Sequence, residues 1–215
     1  MTETNHAVTG HLYPEIASYV AQRTREFDQI LSERKLVLQQ LANYIRARTT
    51  SDRDAMLTFI CTHNSRRSHM AQIWTQIAAA RFGVKHVQTY SGGTEITACN
   101  PRTVDSLKRC GIRFSVPDVD GSNPHYSATF SNNEPPLISY SKIFSEAANP
   151  SSNYCAAMTC SRADQHCPVA IGCDLRLAIR YDDPKVSDDT PQEAASYDER
   201  CAQIAREMLY AMSKV

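Results

Sequence analysis

Apolar and polar positions follow a helical period at both ends of the chain and a strand-and-helix alternation between them. Behind Pro14, the residues Tyr13, Ile16, Ala17 and Val20 recur at helical spacing. A second pattern, Phe27, Ile30, Leu31, Val37, Leu38, Leu41, Tyr44 and Ile45, predicts an amphipathic helix of about five turns or more. The polar stretch RTTSDRD then reads as a linker. AMLTFI, residues 55–60, is a short apolar run that suits a buried parallel strand. SHMAQIWTQIAAARFG predicts a helix stopped by Gly83, and HVQTYS a second strand that turns at Gly92 and Gly93. NPRTVDSLKRCGI carries Asn100 as N-cap, Pro101 in the first turn and Gly111 after the end of another helix.

Residues 115–136 are rich in Pro, Ser and Asn, and HYSATF and PLISYSKIF around SNNEPP suggest an inserted hairpin. YCAAMTC and LRLAIRY read as two more buried strands, and SYDERCAQIAREMLYAM as a last helix with Cys201, Ile204, Met208 and Met212 on one side. The sum is an α/β protein. A four-stranded parallel sheet with helices on both faces is expected over 55–215, preceded by an N-terminal helical extension over 1–54. The extension is expected to pack on the same core.

Composition narrows the functions. The formal net charge is zero with 21% charged residues, so no basic field for nucleic acid and no acidic tail is present. Nothing approaches the roughly 20 apolar residues of a membrane helix, and the polar start MTETNHAVTG lacks the apolar segment of a signal peptide. A cytoplasmic protein without membrane or nucleic-acid partners is expected. Its eight cysteines are then reduced thiols, some in redox or catalytic service. Cys160, Cys167 and Cys173 contain no CxxC pair, and intervals of six and five residues are loose for zinc. Neither a metal nor another cofactor is expected. Cys99, Cys110, Cys155, Cys173 and Cys201 read as structural, with Cys155 and Cys173 near enough to Cys160 and Cys167 to stand in for them.

The chemistry concentrates where the first strand ends. Cys61 closes an apolar run and is followed by THNSRRS, whose polar residues suit a loop rather than a strand. A loop opening a helix offers free N–H groups and the positive end of a dipole, both of which attract an anion. Arg67 adds a planar fork for two oxygens of a tetrahedral dianion. The same potential favours Cys61 as a thiolate nucleophile. Ser68 can hydrogen-bond that thiolate, and Asn64 can brace the loop.

CTHNSRRS resembles the phosphate-binding loop of the low-molecular-weight protein tyrosine phosphatases and of the thioredoxin-coupled arsenate reductases built on the same fold: Cys, five residues, Arg, then Ser or Thr. The resemblance runs from about residue 55 to 212 and includes YSGGTE, NPRTVDSLKRCGI and DDP. It implies that Thr62, His63, Asn64, Ser65, Arg66, Arg67 and Ser68 cradle the oxyanion, with Cys61 as nucleophile. His63 stands where the family usually carries Gly, and either touches the anion or faces solvent. In RYDDPKV the motif match makes Asp183 the general acid, with Asp182 as the alternative.

MTCSRADQHCP resembles the reductase segment in which two cysteines flank a short helical stretch. Seven helical residues separate Cα atoms by about 10.5 Å, whereas a disulfide needs them within about 7 Å. A Cys160–Cys167 bond therefore requires that segment to unwind. The resemblance implies reduction of arsenate to arsenite through Cys61, Cys160 and Cys167, with thioredoxin as the recycling partner. The alternative is a phosphatase hydrolysing phosphomonoesters through a Cys61 phosphocysteine, which needs neither Cys160 nor Cys167. A third reading is an oxyanion-binding or redox-sensing protein without turnover. Those reductases usually have Glu where Gln72 stands, some using it to hold potassium, and no potassium site is expected here. Residues 1–54 and the longer 115–150 stretch have no counterpart in compact reductases, and the latter can cover the loop.

Overall fold

The structure is a computed structural model that describes residues 12–116, 121–166 and 170–215. Two helices come first, α1 (Pro14–Thr24) and α2 (Ser32–Thr49). The central sheet is β1 (Ala55–Cys61), β2 (Val87–Gly93), β6 (Tyr154–Met158) and β7 (Cys173–Ala178), in the order β2-β1-β6-β7 and parallel throughout. Connections between its strands carry α3 (Arg67–Phe82), α4 (Pro101–Arg109) and α5 (Ser161–His166), and α6 (Glu193–Met212) closes the chain. A small antiparallel sheet, β3 (Arg113–Ser115), β4 (Tyr126–Thr129) and β5 (Leu137–Ser139), lies between α4 and β6.

Both faces of the central sheet are covered, unequally. Leu57 and Phe59 of β1 join the larger core with Trp74 and Ile77 of α3 and Ile204 and Met208 of α6. Ile60 points into a smaller cluster with Met158, Cys160 and Ala163. This is the period-two alternation of a strand buried on both faces. Ile16 and Val20 of α1, and Leu38, Leu41 and Ile45 of α2, belong to the larger core. The start of the chain is also sewn to the small sheet, where the Tyr13 N–H donates to the Phe130 carbonyl at 3.0 Å.

Because the strands are parallel, their C-terminal ends share one edge. Cys61 pairs with Gly93 and Ile60 with Met158, so the loops leaving β1, β2 and β6 meet there.

Two expectations need correction, and a third is met and extended. The long helix predicted from Phe27 to Ile45 is interrupted: Phe27–Gln29 is a 3₁₀ turn, Ile30 is extended, and α2 starts at Ser32. The break buries Ile30 and leaves Leu31 exposed while both helices reach α6, and two short helical patterns in phase look like one. The predicted turn at Gly92 and Gly93 is instead the end of β2. A Cβ at Gly92 would lie 2.3 Å from the Cα of Phe144, so glycine is required by the closeness of that backbone. The inserted hairpin is β4 and β5, with β3 as a third strand. β5 ends at Ser139 because the next residues leave the small sheet, Gly93 N–H donating to the Lys142 carbonyl and Phe144 N–H to the Gly93 carbonyl.

If α2 is part of the folding unit, Leu41→Ala should cost about 2–5 kcal/mol. Urea unfolding should show one transition with a lower midpoint, and a separate early transition would make the first two helices an independent unit.

Candidate active site

The turn between β1 and α3 is shaped from outside. Thr94 N–H donates to the Cys61 carbonyl at 3.2 Å, Glu95 N–H to Thr62 at 2.8 Å and Asn100 N–H to Ser65 at 3.0 Å. The His63 carbonyl accepts from the hydroxyls of Thr97 (3.2 Å) and Ser141 (2.7 Å), and the Asn64 carbonyl accepts from His69 Nε2 at 2.7 Å. Met70 N–H takes the Arg66 carbonyl as α3 begins. In a planar trans peptide the C=O of one residue and the N–H of the next point opposite ways. Six successive carbonyls committed outward therefore turn the N–H groups of residues 62–67 the other way. That is the nest an oxyanion requires.

Two residues make the turn possible. Asn64 has φ +43°, a conformation Asn tolerates better than most side chains. Gly93 lies against the loop, and a Cβ there would meet Asn64 N, Glu95 O and Thr62 O, each at 2.7 Å. The left-handed position is Asn64 rather than His63, so the backbone places no demand for glycine at His63. The His63 imidazole sits at the rim, partly exposed, with Nε2 3.3 Å from Glu95.

Asn64 organises the side chains. Its Oδ1 accepts from Lys142 N–H at 3.0 Å, which orients the amide so that Nδ2 donates to Ser68 Oγ at 2.9 Å. The Ser68 hydroxyl proton is then free for Cys61 Sγ, 3.2 Å away. The two arginines part company. Arg66 is held behind the loop by the Tyr197 hydroxyl at 2.7 Å and by Asp188 at 3.4 Å. Arg67 donates through Nη1 to the Tyr181 carbonyl at 2.8 Å and through Nη2 to Asp183 Oδ2 at 2.5 Å, and its buried Nε has no partner among the described residues.

Asp183 caps the 3₁₀ turn Pro184–Ser187 through the Lys185 N–H. Asp182 is 95% exposed and faces Arg200 at 3.5 Å. Cys160 follows β6 at the same sheet edge. Its Sγ is 3.5 Å from Thr62 Oγ1 and accepts from Ala163 N–H at 3.3 Å, starting α5. Cys167 lies outside the described residues. Gln72 is turned onto β2, where Nε2 donates to the Thr89 carbonyl at 3.0 Å. Cys155 is fully buried in the larger core and Cys173 borders the smaller one.

Sequence reading missed the outer ring of Thr97, Ser141, Lys142, His69 and Tyr181. Four of them come from distant segments and act partly through backbone groups, which leave no pattern in side-chain identity. His69 lies on the predicted helix, but its partners, the Asn64 carbonyl and Ser91, depend on the fold.

The chain shares several resemblances with known proteins. The profile of the family described as low molecular weight phosphotyrosine protein phosphatase matches residues 56–119. An arsenate reductase of Staphylococcus aureus (strain bovine RF122 / ET3-1) is 35% identical over 111 residues, 51% of this chain and 63% of that protein. The matched stretch is thus under two thirds of that relative's length. Arsenate reductase 2 of Staphylococcus epidermidis (strain ATCC 35984) is 30% identical over 126 residues, 59% of this chain and 76% of that protein. A solved low molecular weight phosphotyrosine phosphatase of Vibrio cholerae O395 has a TM-score of 0.47 at 12% identity, covering 74% of this chain and 94% of that one.

His69 yields a pH test. Burial, with the nearby Lys142 charge, lowers its pKa from 6.5 to about 3, against the pull of the Asn64 carbonyl. A depressed histidine stabilises the fold fully above the unfolded value and loses that contribution as pH falls from 6.5 toward 3. Urea unfolding of the wild type should therefore weaken from about pH 6.5 downward with proton uptake on unfolding, and His69→Gln should flatten this part of the slope. Equal slopes in both proteins would show that His69 is charged in the folded state.

Proposed function

The chain belongs to the arsenate reductases of the low molecular weight phosphotyrosine phosphatase fold family, and on that premise we propose that it reduces arsenate to arsenite through a relay of Cys61, Cys160 and Cys167 that thioredoxin recycles. The observation that carries this reading over simple phosphoester hydrolysis is the position of Cys160. A phosphatase has no use for a second thiol beside its loop, yet Cys160 Sγ reaches the hydroxyl of Thr62, the residue after Cys61.

The geometry supports the following sequence. Arsenate enters the nest and takes over the Arg67 guanidinium, whose Nε has no partner among the described residues and whose Nη2 holds Asp183. Two anions compete for one fork, so the entering oxyanion releases the Asp183 carboxyl toward the leaving oxygen. Once released from Arg67, Asp183 takes up a proton from the hydrogen arsenate or from solvent. Cys61 attacks arsenic with Ser68 bonded to its sulfur, Asp183 passes that proton to the leaving oxygen, and water departs. The Cys160 thiolate then attacks Cys61 Sγ. The S–As bond breaks, its electron pair stays with arsenic as As(III), and arsenite leaves a Cys61–Cys160 disulfide behind. Cys167 attacks Cys160 and restores the Cys61 thiolate. Thioredoxin, as a dithiol, reduces the Cys160–Cys167 bond and carries away the two oxidising equivalents.

The same Cys61, Arg67 and Asp183 can hydrolyse a phosphomonoester, and the family profile matching residues 56–119 bears that description. One assay separates the readings. NADPH consumption is followed with arsenate, thioredoxin and thioredoxin reductase, beside hydrolysis of p-nitrophenyl phosphate. Cys160→Ser and Cys167→Ser should each abolish arsenate-driven turnover and leave hydrolysis within about threefold of wild type, and Cys61→Ser should abolish both. A wild type that ignores arsenate but hydrolyses the phosphoester is a phosphatase.

The two neighbouring acids give a sharper contrast. Asp183→Asn should lower hydrolysis by about 10²-fold or more, while Asp182→Asn stays near wild type. Equal losses would place the proton donor elsewhere.

A further inference from the structure

Two cysteines with no part in the relay stand against each other in the larger core. Cys110 caps the end of α4, Cys201 lies in α6, and their sulfurs are 3.6 Å apart. A disulfide needs about 2.05 Å, so bonding asks for an approach of roughly 1.5 Å. The helices are already in register beside them: Arg109 pairs with Asp198 at 2.7 Å, and the Ser106 hydroxyl donates to Asp198 at 2.8 Å. The indole of Trp74 donates to Cys201 Sγ at 3.1 Å, and Tyr19 stacks on that indole with ring centres 5.2 Å apart.

We propose that Cys110 and Cys201 are a second redox couple, a buried dithiol that hydroperoxides oxidise to an internal disulfide joining α4 to α6. The two thiols are unequal in the way such a couple needs. Cys201 is fully enclosed, and burial first, then Cys110, pushes its pKa well above the ordinary value. Cys110 is 4% exposed, and hydrogen bonding from Cys201 holds its pKa below the ordinary value. Cys110 is the less enclosed of the two sulfurs and is assigned the first attack, as its thiolate. It displaces hydroxide from the peroxide O–O bond and becomes a sulfenic acid. The Cys201 thiol attacks that sulfur, water leaves, and the disulfide forms. The peroxide accepts the two electrons that the thiols lose.

The staple would tie the end of α4 to the middle of α6, two helices that both hold the anion loop. Asn100 and Thr103 of the α4 start bond the Ser65 carbonyl, and Tyr197 of α6 holds Arg66. Trp74 is the only tryptophan in the chain, so its emission reports chemistry at Cys201.

The test uses the full chain, treated with hydrogen peroxide, alkylated after unfolding and mapped by mass spectrometry without reduction. The expected result is a peptide pair linked through Cys110 and Cys201. A fall in Trp74 emission that dithiothreitol reverses should accompany it, with a thermal midpoint raised on the order of 5 °C. Cys110→Ser, which keeps the volume nearly constant, should lose the linked pair and the emission change together. Recovery of both cysteines as separate alkylated or singly oxidised peptides overturns the proposal. So does an emission change that persists in Cys110→Ser. Cys201→Ala supplies the same readings independently should Cys110→Ser fold poorly.

Discussion

The site rests on one constraint: the carbonyls of the loop after β1 are all claimed from behind. An isolated turn of this length would scatter its peptide dipoles and bind an anion weakly. Here the donors come from the loop after β2 (Thr94, Glu95, Thr97), the start of α4 (Asn100, Thr103), the segment after β5 (Ser141) and α3 itself (His69, Met70). Each fixes one peptide plane, and each plane so fixed aims an N–H inward at no further cost when the ligand arrives. Preorganisation of that kind is where electrostatic catalysis gains most, because the dipoles need not reorganise during reaction. It also explains why the parallel sheet matters: only an edge where several strands end together can bring so many short segments to one loop.

The same constraint accounts for residues whose identity looks odd in isolation. His69 is a histidine buried in a helix and held neutral, which lets it donate to the Asn64 carbonyl while accepting from Ser91. Gly93 is small because three backbone atoms of the loop and its brace occupy the space of a Cβ. Arg66 looks like half of a double clamp, yet its guanidinium serves as a rivet to Tyr197 and Asp188, leaving Arg67 as the cation on the ligand side. Arg66 is the non-helical residue before α3, with φ −132° and ψ −88°, and Arg67 is the first residue of the helix, so the backbone sends the two side chains to different sides of the loop.

Much of this was legible in the sequence, for identifiable reasons. The strand-loop-helix around Cys61 declares itself because burial forces an apolar run, the loop must be polar, and the helix needs its own period. Asn100 and Gly83 were readable because caps are local chemistry, and both act as caps in the structure. Asp183 stands beside Arg67 and Asp182 does not, a choice that the pair DDP leaves open because adjacent side chains differ only in where the backbone aims them. The break at Ile30 was not legible, since its cause is the joint docking of α1 and α2 on α6. Nor were Ser141 and Lys142, which matter through a hydroxyl and a backbone N–H placed by an insertion with no repeating pattern of its own.

The relay, as proposed, asks α5 to be both formed and expendable, and its construction fits that demand. Six residues are far too few to stand alone as a helix in water. Its supports are specific: the Cys160 sulfur accepts the Ala163 N–H, Ala163 is buried in the smaller core, and Asp164 is gripped by Arg176 at 2.6 Å and by Arg180. One of these supports is the sulfur that reacts. In the proposed relay Cys160 bonds Cys61, its sulfur becomes a weaker acceptor for the Ala163 N–H, and the helix start loosens when Cys167 must approach. The remaining supports act on Ala163 and Asp164, in the first turn of α5. In the proposed relay, unwinding of α5 lets Cys167 approach Cys160 while β6 and the anion loop stay in place. The chemical step and the conformational step are then linked through one atom, which requires no signal to travel through the rest of the fold.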